Sequence, residues 1–163
     1  MEEYITLEEK NEIREWVTAV FIGLIICTII FTFIRPAKVH QTSMLPNYKE
    51  GEIVLYTAWS SPEKKDVIIF EKDGEYLIKR IIGLPGDIVE VKDGNVYINK
   101  KIQDQSYTKD NATDGAIRCK VPKNSYFVMG DNRFDSMDSR DKEIGTVSKK
   151  SVKGIVFAKI WQK

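Results

Sequence analysis

Hydrophobic and polar positions divide the chain into two regimes. From Trp16 to Ile34 runs WVTAVFIGLIICTIIFTFI, 19 residues without a charge, bounded by Glu15 and Arg35. As a helix this stretch is about 28 Å long, close to the roughly 30 Å hydrocarbon core of a bilayer. It has no polar stripe to serve as the solvent face of a core helix. The pattern predicts a short tail over 1–15 and one transmembrane helix over 16–34, with Trp16 and Arg35 suited to the two interfaces. The run is longer than the apolar part of a cleavable signal peptide and no Ala-x-Ala-like site follows it, so an uncleaved anchor is expected. Arg35-Pro36 is expected to end the helix, because the residue before a proline avoids the helical region.

Beyond Pro36 the pattern changes to short runs rich in β-branched and aromatic residues: VLYTAW (54–59), DVIIF (66–70), EYLIKRII (75–82), DIVEV (87–91), NVYI (95–98), SYFVMG (125–130) and GIVFAKIW (154–161). Asp73-Gly74, Pro85-Gly86, Asp93-Gly94 and Asp114-Gly115 punctuate them, and Asp93-Gly94 is a two-residue hairpin signal. These elements predict an all-β domain over 35–163, a partly open barrel or sandwich of short antiparallel strands. The polar stretch 100–122 reads as a surface insertion or small lobe outside the core.

Composition narrows the function classes. The 163 residues hold 25 Lys and Arg, 24 Asp and Glu, and a single His, for a net charge of +1, which makes no case for a nucleic-acid partner. The charge is uneven: residues 1–34 carry 2 basic and 6 acidic side chains, and the remainder carries a net +5. A mildly cationic domain suits an anionic membrane surface, although ordinary solvated charge explains it equally well. One His and two cysteines, Cys27 and Cys119, cannot build a zinc site of the usual type or a disulfide framework. No metal or organic cofactor is implied.

The same scarcity constrains catalysis. His40 lies three residues before Ser43; in an extended segment the two face opposite sides, which argues against a Ser-His-Asp triad. Cys119 has no other His to serve as its base. A Ser-Lys pair remains open.

Three segments then matter together: Thr42-Ser43-Met44-Leu45-Pro46, Lys79-Arg80-Ile81-Ile82-Gly83-Leu84-Pro85-Gly86-Asp87, and Gly130-Asp131-Asn132-Arg133-Phe134-Asp135-Ser136-Met137-Asp138-Ser139-Arg140. In this order, behind an N-terminal anchor, they resemble the type I signal peptidases, membrane-bound Ser-Lys endopeptidases. The resemblance covers nearly the whole chain. A further family segment, usually Arg-Gly-Asp followed by aliphatics and Phe, corresponds here to Lys64-Lys65-Asp66-Val67-Ile68-Ile69-Phe70, where only the Asp and the apolar tail match.

The resemblance implies roles by position. Ser43 falls on the nucleophile and Lys79 on the general base. A free lysine has a pKa of about 10.4, so the base must lie among apolar neighbours, with Leu77, Ile78, Ile81 and Ile82 at hand. Ser136 falls on the residue that hydrogen-bonds and orients the base. Asp131, Arg133, Asp138 and Arg140 fall on charged residues that brace the site through ion pairs. Gln41 stands two positions before the nucleophile, where the family carries Ser or Gly, and either donates to the oxyanion or obstructs the pocket. Gln41, Met44, Leu77 and Ile78 are the expected cleft residues. Met44, Leu45 and Trp59 are expected to dip into the membrane interface.

The implied function is serine endopeptidase, removing signal peptides from exported precursors after small residues, with an exoplasmic domain on a single-pass anchor in the cell membrane of a Gram-positive bacterium. Sidedness does not follow from the charge counts. The rival reading is a signal-peptidase-like accessory or chaperone without proteolytic activity that binds exported proteins such as pilins during surface assembly. A self-cleaving repressor with the same dyad type would carry a DNA-binding domain where this chain has an apolar span.

Overall fold

The computed structural model describes residues 7–160, and the chain divides into two compact units at Arg35/Pro36. Residues 1–6 of the expected tail, and Trp161 of the last expected strand, lie outside the described residues.

The first unit is one helix, α1 (Leu7–Phe33). It starts well before the apolar run because Leu, Glu, Lys and Arg are strong helix formers. Its 24-residue segment Lys10–Phe33 is long and apolar enough to cross a membrane. Trp16, Phe21 and Phe31 are 74%, 64% and 81% exposed, so water would be a costly surrounding for this surface. The hydroxyls of Thr18, Thr28 and Thr32 each donate to the carbonyl four residues earlier, at 2.7 Å. Such back-bonding lets a polar side chain sit in hydrocarbon without an orphan donor. The helix ends at Phe33, ahead of Arg35-Pro36, and Ile34–Lys38 form strand β1. Pro36 is tolerated there because β1 is an edge strand.

The second unit is built from two β-sheets. The larger contains β1, β2 (Ile53–Thr57), β3 (Val67–Lys72), β4 (Glu75–Gly83), β9 (Ser125–Met129), β10 (Val147–Ser148) and β11 (Val152–Ile160), in the order β1-β2-β11-β3-β4-β9-β10. The smaller contains β5 (Ile88–Lys92), β6 (Asn95–Ile98), β7 (Lys101–Ile102) and β8 (Ile117–Lys120), in the order β7-β6-β5-β8. The pairings among β2–β11 are antiparallel, and neither sheet closes into a barrel. The domain is thus the open form of the expected all-β architecture.

Asp73-Gly74 and Asp93-Gly94 close the β3–β4 and β5–β6 hairpins with positive φ at both central residues, the primed turn whose twist matches the strands. Two apolar clusters cover the large sheet, one around Ile68, Phe70, Ile81 and Val128, the other around Val39, Met44, Val54 and Ile69. A third, including Val89, Val91, Val96 and Phe127, supports the small sheet.

The stretch 100–122 is more integrated than its polarity suggests. β7 and β8 at its ends extend the small sheet, and Gln105, Thr108, Thr113 and Val121 are buried. Polar residues can be interior there because they satisfy one another: Thr108 Oγ1 donates to Gln105 O at 2.7 Å, and Gln105 Nε2 donates to Gly94 O at 3.0 Å.

The pairing of β4 is incomplete on one side. β9 pairs with β4 only at Arg80, Ile81 and Gly83, so Glu75–Lys79 are strand-paired on the β3 side alone.

Candidate active site

Ser43 sits in a turn that follows β1, not in an extended segment. Leu45 N–H donates to Thr42 O at 3.1 Å and Tyr48 N–H to Met44 O at 2.9 Å, closing successive turns. The fully buried Met44 side chain pins them to the cluster of Val39, Val54 and Ile69. Met44 therefore anchors the turn from behind and is not available to a membrane interface. The expectation of an extended backbone between His40 and Ser43 does not hold; the His40 side chain is nevertheless exposed and bonds to none of the described residues. Trp59 is 73% exposed.

Lys79 lies on β4 opposite Ile68 of β3, which is fully buried, and is itself 4% exposed. Its Nζ is 2.7 Å from Ser43 Oγ, across 36 residues of sequence. Leu77 and Ile81 share its face of the strand. Burial holds the Lys79 pKa below the usual lysine value; Asp138 pulls in the other direction and Arg140 reinforces the drop, with Asp131 and Asp135 adding smaller upward pulls. Desolvation wins because no carboxylate among the described residues pairs directly with the amine.

Asp138 organises the loop opposite. Its carboxylate is fully buried and takes a bidentate pair from Arg140, Nε at 2.8 Å and Nη2 at 2.9 Å. The same Oδ2 accepts Gly130 N–H and Ser136 Oγ–H, both at 2.9 Å. In this structure Ser136 donates to Asp138 and not to Lys79, although it packs against Gly130 beside the Ser43 carbonyl. Arg140 also pairs with Asp114, reaching the 100–122 lobe.

Asp131 is paired with Arg80, through Nε at 2.8 Å and Nη2 at 2.6 Å, and accepts Asn47 Nδ2 at 2.9 Å. Strand alternation thus sends Lys79 toward Ser43 and its neighbour Arg80 to the opposite face. Arg133, expected in an ion pair, has none among the described residues. Its guanidinium is 2% exposed and donates to Gly130 O (2.8 Å), Gln105 Oε1 (3.2 Å), Thr113 Oγ1 (2.5 Å) and Tyr107 OH (3.0 Å). Neutral acceptors suffice because several together replace the lost hydration. The Tyr107 ring lies between Arg80 and Arg133, 4.9 and 5.7 Å from their guanidinium carbons.

A cleft of about 450 Å³ opens beside the Ser43–Lys79 pair, lined by Val39, His40, Gln41, Ile69, Leu77 and Ile78 among others. Gln41 is exposed, has φ of 71°, and its side chain bonds to none of the described residues. Ser43 N–H is likewise uncommitted among them. Asn132 Oδ1 is the single buried side-chain acceptor without a partner among the described residues, a state costing about 1–3 kcal/mol. No group of three metal-ligating side chains occurs among those residues.

Sequence reasoning missed Asn132, Gly130, Tyr107, Gln105 and Thr113 as contributors. The first two stand inside the segment that carried the resemblance. The others lie in the 100–122 stretch, where nothing in the pattern distinguishes a buried polar side chain from a solvated one.

Residues 13–161 match the family described as signal peptidase, peptidase S26. Signal peptidase I S of Bacillus subtilis is 37% identical over 164 residues, covering 91% of this chain and 89% of that protein. Signal peptidase IB of Staphylococcus aureus is 34% identical, covering 93% and 91%. A crystal structure of a signal peptidase I from Enterococcus faecalis superimposes with a TM-score of 0.53 at 32% identity, covering 60% of this chain and 98% of that one.

Proposed function

The chain belongs to the S26 family of signal peptidases, and from that premise we propose that it cleaves signal peptides from exported precursors with Ser43 as nucleophile and Lys79 as base. The observation that carries this reading is the 2.7 Å contact between a buried lysine of lowered pKa and a serine hydroxyl at the end of an apolar cleft.

The steps follow from that geometry. Neutral Lys79 accepts the Ser43 hydroxyl proton as Oγ attacks the carbonyl carbon of the scissile bond. The oxyanion that forms faces the uncommitted Ser43 N–H. The Lys79 ammonium then returns the proton to the leaving amine, and the acyl group stays on Ser43. Lys79 next takes a proton from water, hydroxide equivalent adds to the ester, and Ser43 is released with its proton restored. The unpaired edge of Glu75–Lys79 suits an extended substrate added as a strand, with Leu77 and Ile78 receiving small side chains. Asp131, Arg133, Ser136, Asp138 and Arg140 hold the loop that backs the dyad.

The single N-terminal helix anchors the domain in the membrane; single-pass topology with an exoplasmic domain is the arrangement that gives the dyad access to precursors. The accessory reading, with pilins as clients, rests on Gln41 and has no structural observation in its favour beyond that substitution.

The test is cleavage of a precursor carrying Ala one and three residues before the scissile bond, using the full chain in detergent and mass spectrometry of the products. Cleavage after the second Ala by wild type, absent in Ser43→Ala, is expected. Binding of the precursor without cleavage would instead favour the accessory reading.

Gln41 offers a separate check. Its left-handed backbone is strained for a residue with a Cβ, by about 1–2 kcal/mol, and its amide is free to donate to the oxyanion. Gln41→Gly is therefore expected to raise the melting temperature by about 2 °C while lowering kcat by about 10². An unchanged or higher kcat in that variant would remove Gln41 from the oxyanion site.

A further inference from the structure

Asn132 does something at this site that neither an ion pair nor a packing role explains. Its backbone N–H donates to Ser43 O at 3.0 Å, and its side-chain Nδ2 donates to Thr42 O at 3.2 Å. One residue thus bonds to the carbonyls on both sides of the nucleophile, sharing Thr42 O with the turn's own Leu45 N–H at 3.1 Å. In a trans peptide the C=O and the following N–H point in opposite directions. Fixing the Thr42 carbonyl from one side therefore fixes the Ser43 N–H toward the other. That N–H bonds to no described residue.

The amide orientation is determined by its surroundings. Nδ2 also lies 3.4 Å from Asp135 Oδ2, and Asp135 accepts the Thr42 hydroxyl, so reversing the amide would set its oxygen against two acceptors. The cost of this arrangement is visible, since Oδ1 is left buried and unpartnered in a residue 2% exposed. An apolar side chain of the same shape would avoid that desolvation altogether. A position that breaks a local rule in this way is expected where function gains from it.

Resting on the assignment of Ser43 and Lys79 as nucleophile and base, we infer that Asn132 is a positioning residue for the oxyanion site, clamping the Thr42–Ser43 peptide so that the Ser43 N–H is aimed at the developing negative charge before substrate arrives. The clamp acts on the donor and not on the base. It should therefore be felt in the transition state and hardly at all in ground-state binding.

The experiment compares wild type, Asn132→Leu and Asn132→Ala as full chains in detergent, with an Ala-x-Ala precursor peptide and a matching peptide aldehyde that forms a tetrahedral adduct on the serine. Asn132→Leu keeps the branched shape with slightly more bulk, and Asn132→Ala carries the test if Leu does not fold, as read by thermal melting. The expected result is a fall in kcat of about 10- to 100-fold, bounded by the loss of a whole oxyanion donor. KM should stay within about threefold, the midpoint of the acid limb of kcat should not move, and aldehyde affinity should weaken in step with kcat. A folded variant with wild-type kcat, a loss confined to KM, or a shifted acid limb would overturn the inference. Wild type failing to cleave, or Ser43→Ala binding the aldehyde as well as wild type does, would instead remove the Ser–Lys reading and this inference with it.

Discussion

Replacing Lys79 by methionine is expected to abolish cleavage, by about 10⁴ or more in kcat/KM, while raising the melting temperature by about 2–4 °C at pH 7. The two effects have one origin. Lys79 is 4% exposed, and burial holds its pKa below the lysine value of 10.5 despite the opposing pull of Asp138. That shift makes the amine a usable base, and the same shift costs stability. In the unfolded chain Lys79 binds its proton up to about the ordinary lysine pKa. In the folded chain it releases the proton at lower pH. Between the two values the unfolded state holds more protons, so folding stability rises with pH across that window, and below it the full cost is present. Methionine has a similar length, carries no charge and packs readily against Ile68, Leu77 and Ile81. Thermal melts from pH 6 to 10 on wild type and the variant check this, and the gap between them should narrow as pH rises. For activity the sign is the same: kcat of wild type rises with pH through the lowered Lys79 pKa. A methionine variant that melts below wild type at pH 7 would show that the amine is not held against its solvation preference.

The strand pattern was legible because these strands alternate or run apolar over four to nine residues between strong turn signals. DIVEV and NVYI become β5 and β6 almost residue for residue, with Asp93-Gly94 as the turn between them. No such signal marks β1 (Ile34–Lys38), whose first residue belongs to the apolar run, or the shortest elements. β7 and β10 are two residues each, and β8 is Ile117–Lys120, with two charges in four residues. Such strands exist because a neighbouring edge recruits them, and no local propensity announces it. The helix is also longer than the uncharged run, because a membrane criterion sees only uncharged residues whereas α1 includes LEEKNEIRE.

At the site, the sequence named the segments, and the structure distributes the tasks within them. Ser43 and Lys79 lie 2.7 Å apart, while Arg133 reaches into the 100–122 stretch and Ser136 turns to Asp138. The Arg133 partner does not follow from spacing, because Gln105 lies 28 residues away in a polar stretch. The departures from the family pattern have a common physical character. Gln41 and Lys65 stand where the family has Ser or Gly and Gly, and both adopt positive φ, 71° and 76°. Both hold a side chain in a backbone conformation that glycine adopts more readily, at the cost of strain.

Gly130→Ala is expected to cost about 10² or more in kcat with the protein still folded. Gly130 is not at a positive φ, so its requirement is for space and not for conformational freedom. A methyl group there would meet Ser43 O at 2.5 Å, Ser136 Cβ at 2.5 Å and, closer still, Ser136 Oγ. Contacts that short do not persist, and one of them is backbone. The turn bearing the nucleophile must therefore move, or Gly130 must withdraw. Withdrawal is opposed on both sides, since Gly130 N–H is bonded to Asp138 Oδ2 at 2.9 Å and its carbonyl accepts Arg133 Nε at 2.8 Å. The displacement thus falls on Ser43, whose Oγ lies 2.7 Å from Lys79 Nζ, and a misplacement of about 1 Å suffices for a 10² loss. Overpacking adds about 1–3 kcal/mol of destabilisation. Gly86→Ala provides the contrast. At φ of 91° with nothing within 4 Å of the added methyl, it introduces strain without collision. It should cost about 1–2 kcal/mol of stability and leave kcat unchanged. Melting curves and kcat measured on the pair separate the two mechanisms. Turnover in Gly130→Ala within about threefold of wild type would mean that the loop yields before the nucleophile does, and that the arginine and aspartate braces are looser than their bonding implies.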